Sequence, residues 1–593
     1  MNESTEAAGP REAAGVARAG AAQPKPLYLV GVLAFALTLR VVQVVNAHSD
    51  PLNYQPGPDE DYYLRLGAAV AAGTNQYSAG FTFMDPGYGY LLGLIFKIAG
   101  VSVPAVYVVQ AVLDSITACG LLVIGRLLGR PLAGLYGALL YAMTSMAIMF
   151  SATLLKEVWV ASFVTWWVAS ALALIRSDSR LGWLSFGVLC GVGVALRSTL
   201  LLLALPALLL PGARFIRPHE ASRPLVAAPA RAATGMLMVA CGLFLSLAPW
   251  ALRNFHAYES LSPLPHNGGI VLQQIYNENN RSGAIWIPPF VNYFRPEEIW
   301  RGYAQEAAKR EGHALSPPQV DAYWRGQAFD YIAQQPGRVA AAVLRKSLAF
   351  FSATEVPNNR SLTEERLFSP LLAWLPNPTP WLLALGLAGL LWFAVEDRRW
   401  PIIAAPIVVS WLMMAIFWPE ERFRFYAAPV LALCGGLFID TVVRRCRKPI
   451  PWQLPTFVAV ACFVAAASLN LRSTDPAAAV EWDRAVWGYI KMGDIPRARE
   501  LAQRATEAEP SNGAILEALG YLAGTSRQYT EAARYFERAI AVRPRSHIAH
   551  YNLAQAYMAL GRRQEAAQEA RTAVNLYPSP AYQALLNRLA PPR

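Results

Sequence analysis

Charge is what this sequence has least of. Only 16% of its 593 residues are Asp, Glu, Lys or Arg, against 54% apolar residues, whereas a soluble domain carries about a quarter charged. That shortfall excludes a single soluble domain, and apolar blocks of membrane-spanning length exclude a disordered chain or a fibrous repeat. Paired cysteines are missing too. Cys119, Cys190, Cys241, Cys434, Cys446 and Cys462 show no CxxC spacing and none lies in a long polar stretch, so neither a disulfide framework nor a zinc site is expected. The first apolar run, Leu27 to about Ala47, lacks a small-residue cleavage pattern. It is also too long for a signal-peptide core, so it reads as a retained anchor.

What is present is a series of apolar stretches. After the anchor they lie near 104–125, 131–150, 157–175, 181–196, 199–213, 232–251, 379–395, 401–417, 425–443 and 454–471. The fold expected is all-α and polytopic, with roughly eleven spans. Residues 1–25, rich in Ala, Gly and Arg, read as a disordered cytoplasmic tail. The net charge of +12 fits cytoplasmic connections. Arg126/Arg130, Arg176/Arg180, Arg214/Arg217/Arg223/Arg231, Arg398/Arg399 and Arg444/Arg445/Arg447/Lys448 all flank short ones. With these inside, the short piece Gly87–Ala99 is a juxtamembrane or re-entrant helix. The polar regions 48–103, 252–378 and everything after 472 then face outward. The membrane domain is taken as 26–472.

The tail, 480–593, is a separate object. Pro510, Pro544 and Pro578 recur every 34 residues, and Ala505/Ala539/Ala573 and Ala498/Ala532/Ala566 fall at two shared positions. This is the tetratricopeptide pattern: small residues let two helices pack closely, and Pro ends the second. An α-solenoid follows, with Ala581–Leu589 as a capping helix; it is a scaffold open to a protein partner, and the chain does not say what it binds.

Chemistry is expected on the outward side. Gly57-Pro58-Asp59-Glu60-Asp61 follows the first span, and three consecutive acids at a membrane face are either solvated, as a helix start, or used. Glu157 opens the fourth span beside Lys156, where interfacial anchoring is the bland alternative. Pro249-Trp250-Ala251-Leu252-Arg253-Asn254 precedes His266-Asn267-Gly268-Gly269 and Asn277-Glu278-Asn279-Asn280, whose amides suit sugar hydroxyls but also make ordinary loops. Pro419-Glu420-Glu421-Arg422-Phe423-Arg424 places arginines where the positive-inside rule disfavours them, and a lipid phosphate is the obvious reason. Val339–Phe351 is amphipathic, with Lys346 facing either phosphate or the membrane surface.

In this order, over about residues 27–470, the pieces resemble the polytopic GT-C glycosyltransferases. Their nearest branch includes the protein O-mannosyltransferases and the bacterial lipid A aminoarabinose transferases. The residues that carry the likeness are Asp59-Glu60 with Tyr63, Asp85-Pro86-Gly87-Tyr88, Glu157, Pro249-Trp250 with Arg253-Asn254, Asn267-Gly268-Gly269 with Asn279-Asn280, and Arg422/Arg424 before Pro429. One departure is Asp85-Pro86-Gly87, where such enzymes often carry His- or Lys-Pro-Pro, so the cation is absent.

The resemblance implies inverting transfer of a hexosyl or pentosyl unit from a polyprenyl-phosphate donor to a glycan, lipid or protein acceptor outside the membrane. It assigns Asp59 as base, with Glu60 and Glu157 as further acids. Arg422, Arg424, Arg253 and Lys346 fall to the donor phosphate, and Asn254, His266, Asn267, Asn279, Asn280 and Tyr63 to sugar or acceptor. Some relatives hold a divalent metal (Mg or Mn) with such acids. Separated carboxylates without His suit a weak hard-cation site at best, so the metal stays open. A polysaccharide polymerase or ligase is the alternative, and a lipid-linked-sugar transporter stands third. Arg40, deep in the first span, is the one feature that favours the transporter. The protein is expected in a bacterial inner membrane, its N-terminus inside and its repeats outside.

Overall fold

The computed structural model describes residues 26–74, 83–177, 179–213, 228–280, 285–291, 296–353, 355–356, 358–445, 458, 462–464, 467 and 482–589. Among them the regular structure is helical, with one isolated bridge, Asn358 to Arg360. The N-terminal tail, the basic residues Arg214, Arg217, Arg223, Arg447 and Lys448, Cys446 and nearly all of the eleventh expected span lie outside the described residues.

The other ten apolar stretches all fall in helices. By length and composition five can cross a membrane: Pro26–Ala47, Val103–Leu127, Glu157–Leu174, Pro229–Tyr258 and Thr379–Glu396. A sixth is a bent pair, Pro131–Ala142 and Ser145–Ser151, kinked by 61°. Arg180–Leu196, Ser198–Gly212 and Trp400–Ile416 are apolar but shorter. At ~1.5 Å per residue, Gly87–Ala99 falls well short of a hydrocarbon core ~30 Å thick, as its expected role requires.

Small residues bring these helices together. A Cβ on Gly137 would stand 2.8 Å from the Leu433 Cα, and one on Gly436 would stand 2.2 Å from the Ala133 carbonyl oxygen. Pro131–Ala142 and Ala428–Arg445 therefore touch backbone to backbone, which is how helices gain packing where apolar burial alone gives none. Arg40 is matched inside this layer. Its guanidinium meets Asp114 at 2.7 Å, Tyr141 donates to the same carboxylate at 2.5 Å, and Ala142 O accepts from Nη1 at 2.6 Å. Each charge of this pair is thus met inside the helix layer, as buried charges in such a layer require.

The chain divides into two compact units. The second is the tail together with two short pieces from earlier in the chain, Asn46–Pro56 and Thr363–Ser369. Three helix pairs run from Trp482–Met492 to Arg563–Leu576, followed by Pro580–Leu589. Ala498, Ala505, Ala532, Ala539, Ala566 and Ala573 are all fully buried, as the 34-residue period requires. The borrowed pieces differ from a boundary at 480. Leu52 is buried among Ala485, Val486 and Leu501, Arg484 Nε donates to Gln55 O at 2.9 Å, and Phe368 meets the Tyr489 ring at 6.2 Å. The first repeat has no preceding repeat to cover its apolar face, and loop residues cover it instead.

Candidate active site

Asp59 sits in the first turn of Pro58–Ala72, where Pro58 presets the backbone and the helix dipole favours acids. Its Oδ2 accepts from Arg422 Nη1 at 2.9 Å and from Asn359 Nδ2 at 2.8 Å. Its backbone N–H also donates to Asn359 Oδ1, at 3.3 Å. Asn359 has a positive φ of 61°, a conformation that Asn tolerates better than most residues.

Glu60, the next acid, does different work. It is fully buried, Oε2 accepts from Gly57 N at 2.7 Å, and Oε1 accepts from Arg360 Nε at 2.8 Å. It caps the helix and anchors the loop that carries Asn358 and Asn359.

A cavity of about 240 Å³ opens beside Asp59. Its polar wall includes Asp59, Asp85, Lys156, Arg197, Asn267 and Arg422, and its apolar wall includes Phe417, Trp418 and Phe423. Asp85 is held there by close packing: a Cβ on Gly87 would lie 2.6 Å from Ala195 O, so the turn rests on the end of Arg180–Leu196. Lys156 Nζ meets Asp85 Oδ2 at 2.8 Å and Ser198 N donates to Oδ1 at 3.1 Å. The cation absent from position 85 thus reaches the cavity from Lys156. Burial pushes its pKa down from the usual lysine value, and the Asp85 charge opposes that.

Behind the wall, Arg422 is also paired with Glu420, which accepts a further hydrogen bond from Asn358. Burial raises the Glu420 carboxyl while Arg422 pulls it down. Glu157 is fully buried outside the cavity lining and accepts from Tyr426 Oη at 3.5 Å, and its Oε2 has no hydrogen-bond partner among the described residues.

Of the expected site residues, Asp59, Asn267 and Arg422 therefore line one cavity, and the others do not. Arg424 is turned away: it pairs with Glu421 and donates to Phe350 O and Ser352 O, stapling two segments together. Lys346 donates to Ile416 O at 3.1 Å, Phe417 O at 2.7 Å and the Tyr276 hydroxyl at 3.4 Å. It thus caps the end of Trp400–Ile416 and leaves no contact for a phosphate, and burial lowers its pKa to about 7. Arg253 Nη1 donates to Asn254 Oδ1, and Asn254 Nδ2 donates to Ser262 O and Leu264 O, closing a turn. His266 packs edge-on to Tyr258, and burial lowers its pKa.

Asn280 caps Gly268–Ile275 through Gln274 O and Ile275 O, while Asn279 lines a second, polar cavity of about 340 Å³. Tyr63 is buried beneath Lys156, whose Nζ stands 5.6 Å from the ring centroid. Asn254 and Asn280 thus satisfy their own turns, while Asn267 Nδ2 donates across to Phe83 O at 2.5 Å.

Sequence reasoning missed Asp85 as a wall residue, and it missed Arg197, Asn358, Asn359 and Arg360. The run Asn358-Asn359-Arg360, polar in an outer loop, was a signal. So was Arg197, an unexplained cation between two apolar stretches.

Residues 85–248 match the family model of dolichyl-phosphate-mannose-protein mannosyltransferases, and 484–524 and 525–589 match tetratricopeptide repeat models. The resemblance is borne out over those residues. The tail is a tetratricopeptide stack, and the mannosyltransferase likeness is confined to residues 85–248.

No curated protein sequence matches the chain significantly. Among solved structures it is similar to the archaeal oligosaccharyltransferase AglB from Archaeoglobus fulgidus, in complex with an inhibitory peptide and a dolichol-phosphate. The identity is 16% over 78% of this chain and 58% of that one, with a TM-score of 0.39. The apo form of that enzyme gives 14% identity, 78% and 58% coverage, and 0.42. ArnT from Cupriavidus metallidurans bound to undecaprenyl phosphate gives 15%, 75% and 88% coverage, and 0.28. The chain spans little more than half the length of the archaeal enzyme.

Proposed function

We propose that this protein moves a sugar from a polyprenyl-phosphate-linked donor to an acceptor on the extracytoplasmic face, with inversion, and that Asp59 is the general base. The observation that carries this reading is the condition of the Asp59 carboxylate. Oδ2 is fixed by Arg422 and Asn359, while Oδ1 accepts no hydrogen bond from the described residues, in the wall of a cavity that also presents cations. A carboxylate held by one oxygen leaves the other for a hydroxyl proton.

In the step proposed, the acceptor oxygen attacks the anomeric carbon and its proton passes to Asp59. The bond to the phosphate oxygen breaks, and its electron pair leaves with the lipid phosphate. That leaving group is a weak base, so it needs cations rather than an acid. Retention would need a second carboxylate as nucleophile, and both Asp85 oxygens are engaged. The family match over 85–248 supports the donor class.

A divalent metal has no part in this reading. Among the described residues no three His, Cys, Asp or Glu side chains come together, and Asp59 and Asp85 already pair with cations, whereas a hard cation asks for several free oxygens. No step is drawn through one.

Placement of the basic connections inside supports a cytoplasmic N-terminus and outward repeats. The test is to incubate purified protein in native-like lipid with a panel of polyprenyl-phosphate sugars and score free polyprenyl phosphate. Release with at least one donor is expected, and silence across the panel in the presence of mixed glycan, lipid and peptide acceptors would overturn the reading.

A further inference from the structure

The cations of the cavity are not equivalent. Lys156 is matched by Asp85 at 2.8 Å, and Arg422 by Asp59 at 2.9 Å and by Glu420. Among the described residues Arg197 meets no carboxylate directly. Its Nη1 donates to the Tyr426 hydroxyl at 2.9 Å, and only through that phenol, at 3.5 Å, does it reach Glu157. Its guanidinium carbon lies 4.4 Å from the Phe423 ring centroid and 5.4 Å from that of Tyr426.

Arg197 is 8% exposed, it lines the cavity, and its Nε has no hydrogen-bond partner among the described residues. Stacking on Phe423 occupies a face of the guanidinium. It does nothing for the in-plane N–H groups, which are the ones that recognise oxyanions. A buried guanidinium without an acid is costly unless something negative completes it.

We propose that Arg197 is the oxyanion-binding residue of this cavity, taking the phosphate oxygens of the lipid-linked donor and then of the polyprenyl phosphate that leaves. Arg422, already neutralised by two acids, is a positioning residue that holds Asp59. The proposal rests on the glycosyl-transfer reading and adds which side chain meets the phosphate. Pairing supports it: Asp59 is held by Arg422 and Asp85 by Lys156, and of the three cations in the lining Arg197 is the one with no carboxylate in direct contact among the described residues. Geometry supports it too, because Phe423 and Tyr426 pin the guanidinium plane before any ligand arrives, so little entropy is lost on binding.

The test measures binding of decaprenyl phosphate, decaprenol and inorganic phosphate to full-length wild type, Arg197→Gln and Arg197→Lys in one detergent. Wild type should prefer decaprenyl phosphate to decaprenol. Arg197→Gln should weaken decaprenyl phosphate at least ~10-fold, as loss of a charge-assisted contact predicts, with decaprenol unchanged. Competition by inorganic phosphate that disappears in Arg197→Gln would place the phosphate group itself on Arg197. Absence of competition in wild type, with the lipid effect intact, would assign the site to lipid phosphates alone.

If Arg197→Gln does not fold, Arg197→Lys decides. It keeps the charge and loses the fork, so its preference for the phosphate form must fall. An unchanged preference in a folded variant overturns the assignment of Arg197 and leaves the transfer reading standing. A wild type that shows no preference for decaprenyl phosphate overturns the transfer reading itself.

Discussion

Arg422 Nη1 lies 2.9 Å from Asp59 Oδ2 across 363 residues of sequence. The contact joins a short turn, Glu421–Phe425, to the first turn of Pro58–Ala72. It converts two degenerate motifs into one oriented carboxylate, whose second restraint is Asn359.

The first prediction concerns that carboxylate. Asp59→Asn keeps the shape and cannot accept a proton, so single-turnover transfer should fall by about a hundred- to ten-thousandfold, the range for a lost general base. Donor affinity should survive. Asn359→Ala removes only one restraint and should cost roughly tenfold in rate with the pH profile of the base retained. Near-normal turnover in Asp59→Asn would remove Asp59 from the chemistry.

A second prediction separates Glu60 from its neighbour. The Glu60–Arg360 pair is buried on both sides, and removing one partner of such a pair typically costs about 3–5 kcal/mol. Arg360→Met should therefore lower thermal stability sharply, and Glu60→Gln should do so less. An Arg360→Met protein that melts with wild type but has lost turnover would place the pair in catalysis instead.

Lys346 allows a pH prediction. Burial holds its folded pKa near 7, below the ordinary lysine value of about 10.4. Between those values the unfolded chain binds the proton and the folded one does not, so this residue makes stability rise with pH, by up to about 1 kcal/mol per pH unit. Below about pH 7 the full penalty of protonating it is present. Melting temperatures of wild type and Lys346→Met from pH 7 to 10 should diverge in favour of wild type as pH rises. Parallel curves would mean that the ammonium is not held down. Decaprenyl phosphate affinity should be the same in both proteins.

The borrowed loop pieces give the fourth prediction. A Cβ on Gly488 would stand 2.0 Å from Pro51 O, so Gly488→Val must push the Pro51–Asn53 turn off the first repeat helix. Limited proteolysis should then cut within Asn46–Pro56, while the helices from Gly513 onward stay protected, since repeats lean mainly on their neighbours. Equal protection of 46–56 in both proteins would show that this seat contributes nothing.

The sequence alone determined the things that depend on period and composition. Apolar blocks located ten helical stretches, because a buried span must be apolar along its whole length. The 34-residue Pro and Ala recurrence located the repeats, because close helix packing requires a small residue at the same place each time. Asp59 and Arg422 were legible as misplaced charges at the ends of spans. Tertiary structure decided which charges were used up. Glu60, Arg424 and Lys346 looked as available as Asp59 and Arg422 in the chain, yet each is consumed by a helix end, a carboxylate or carbonyls contributed from elsewhere. Arg197 stands in the chain as a lone cation between two apolar stretches, and only the fold withheld a carboxylate from it while stacking it on Phe423. Hydrogen-bond satisfaction is settled by neighbours in space, and one chain read in order does not contain them.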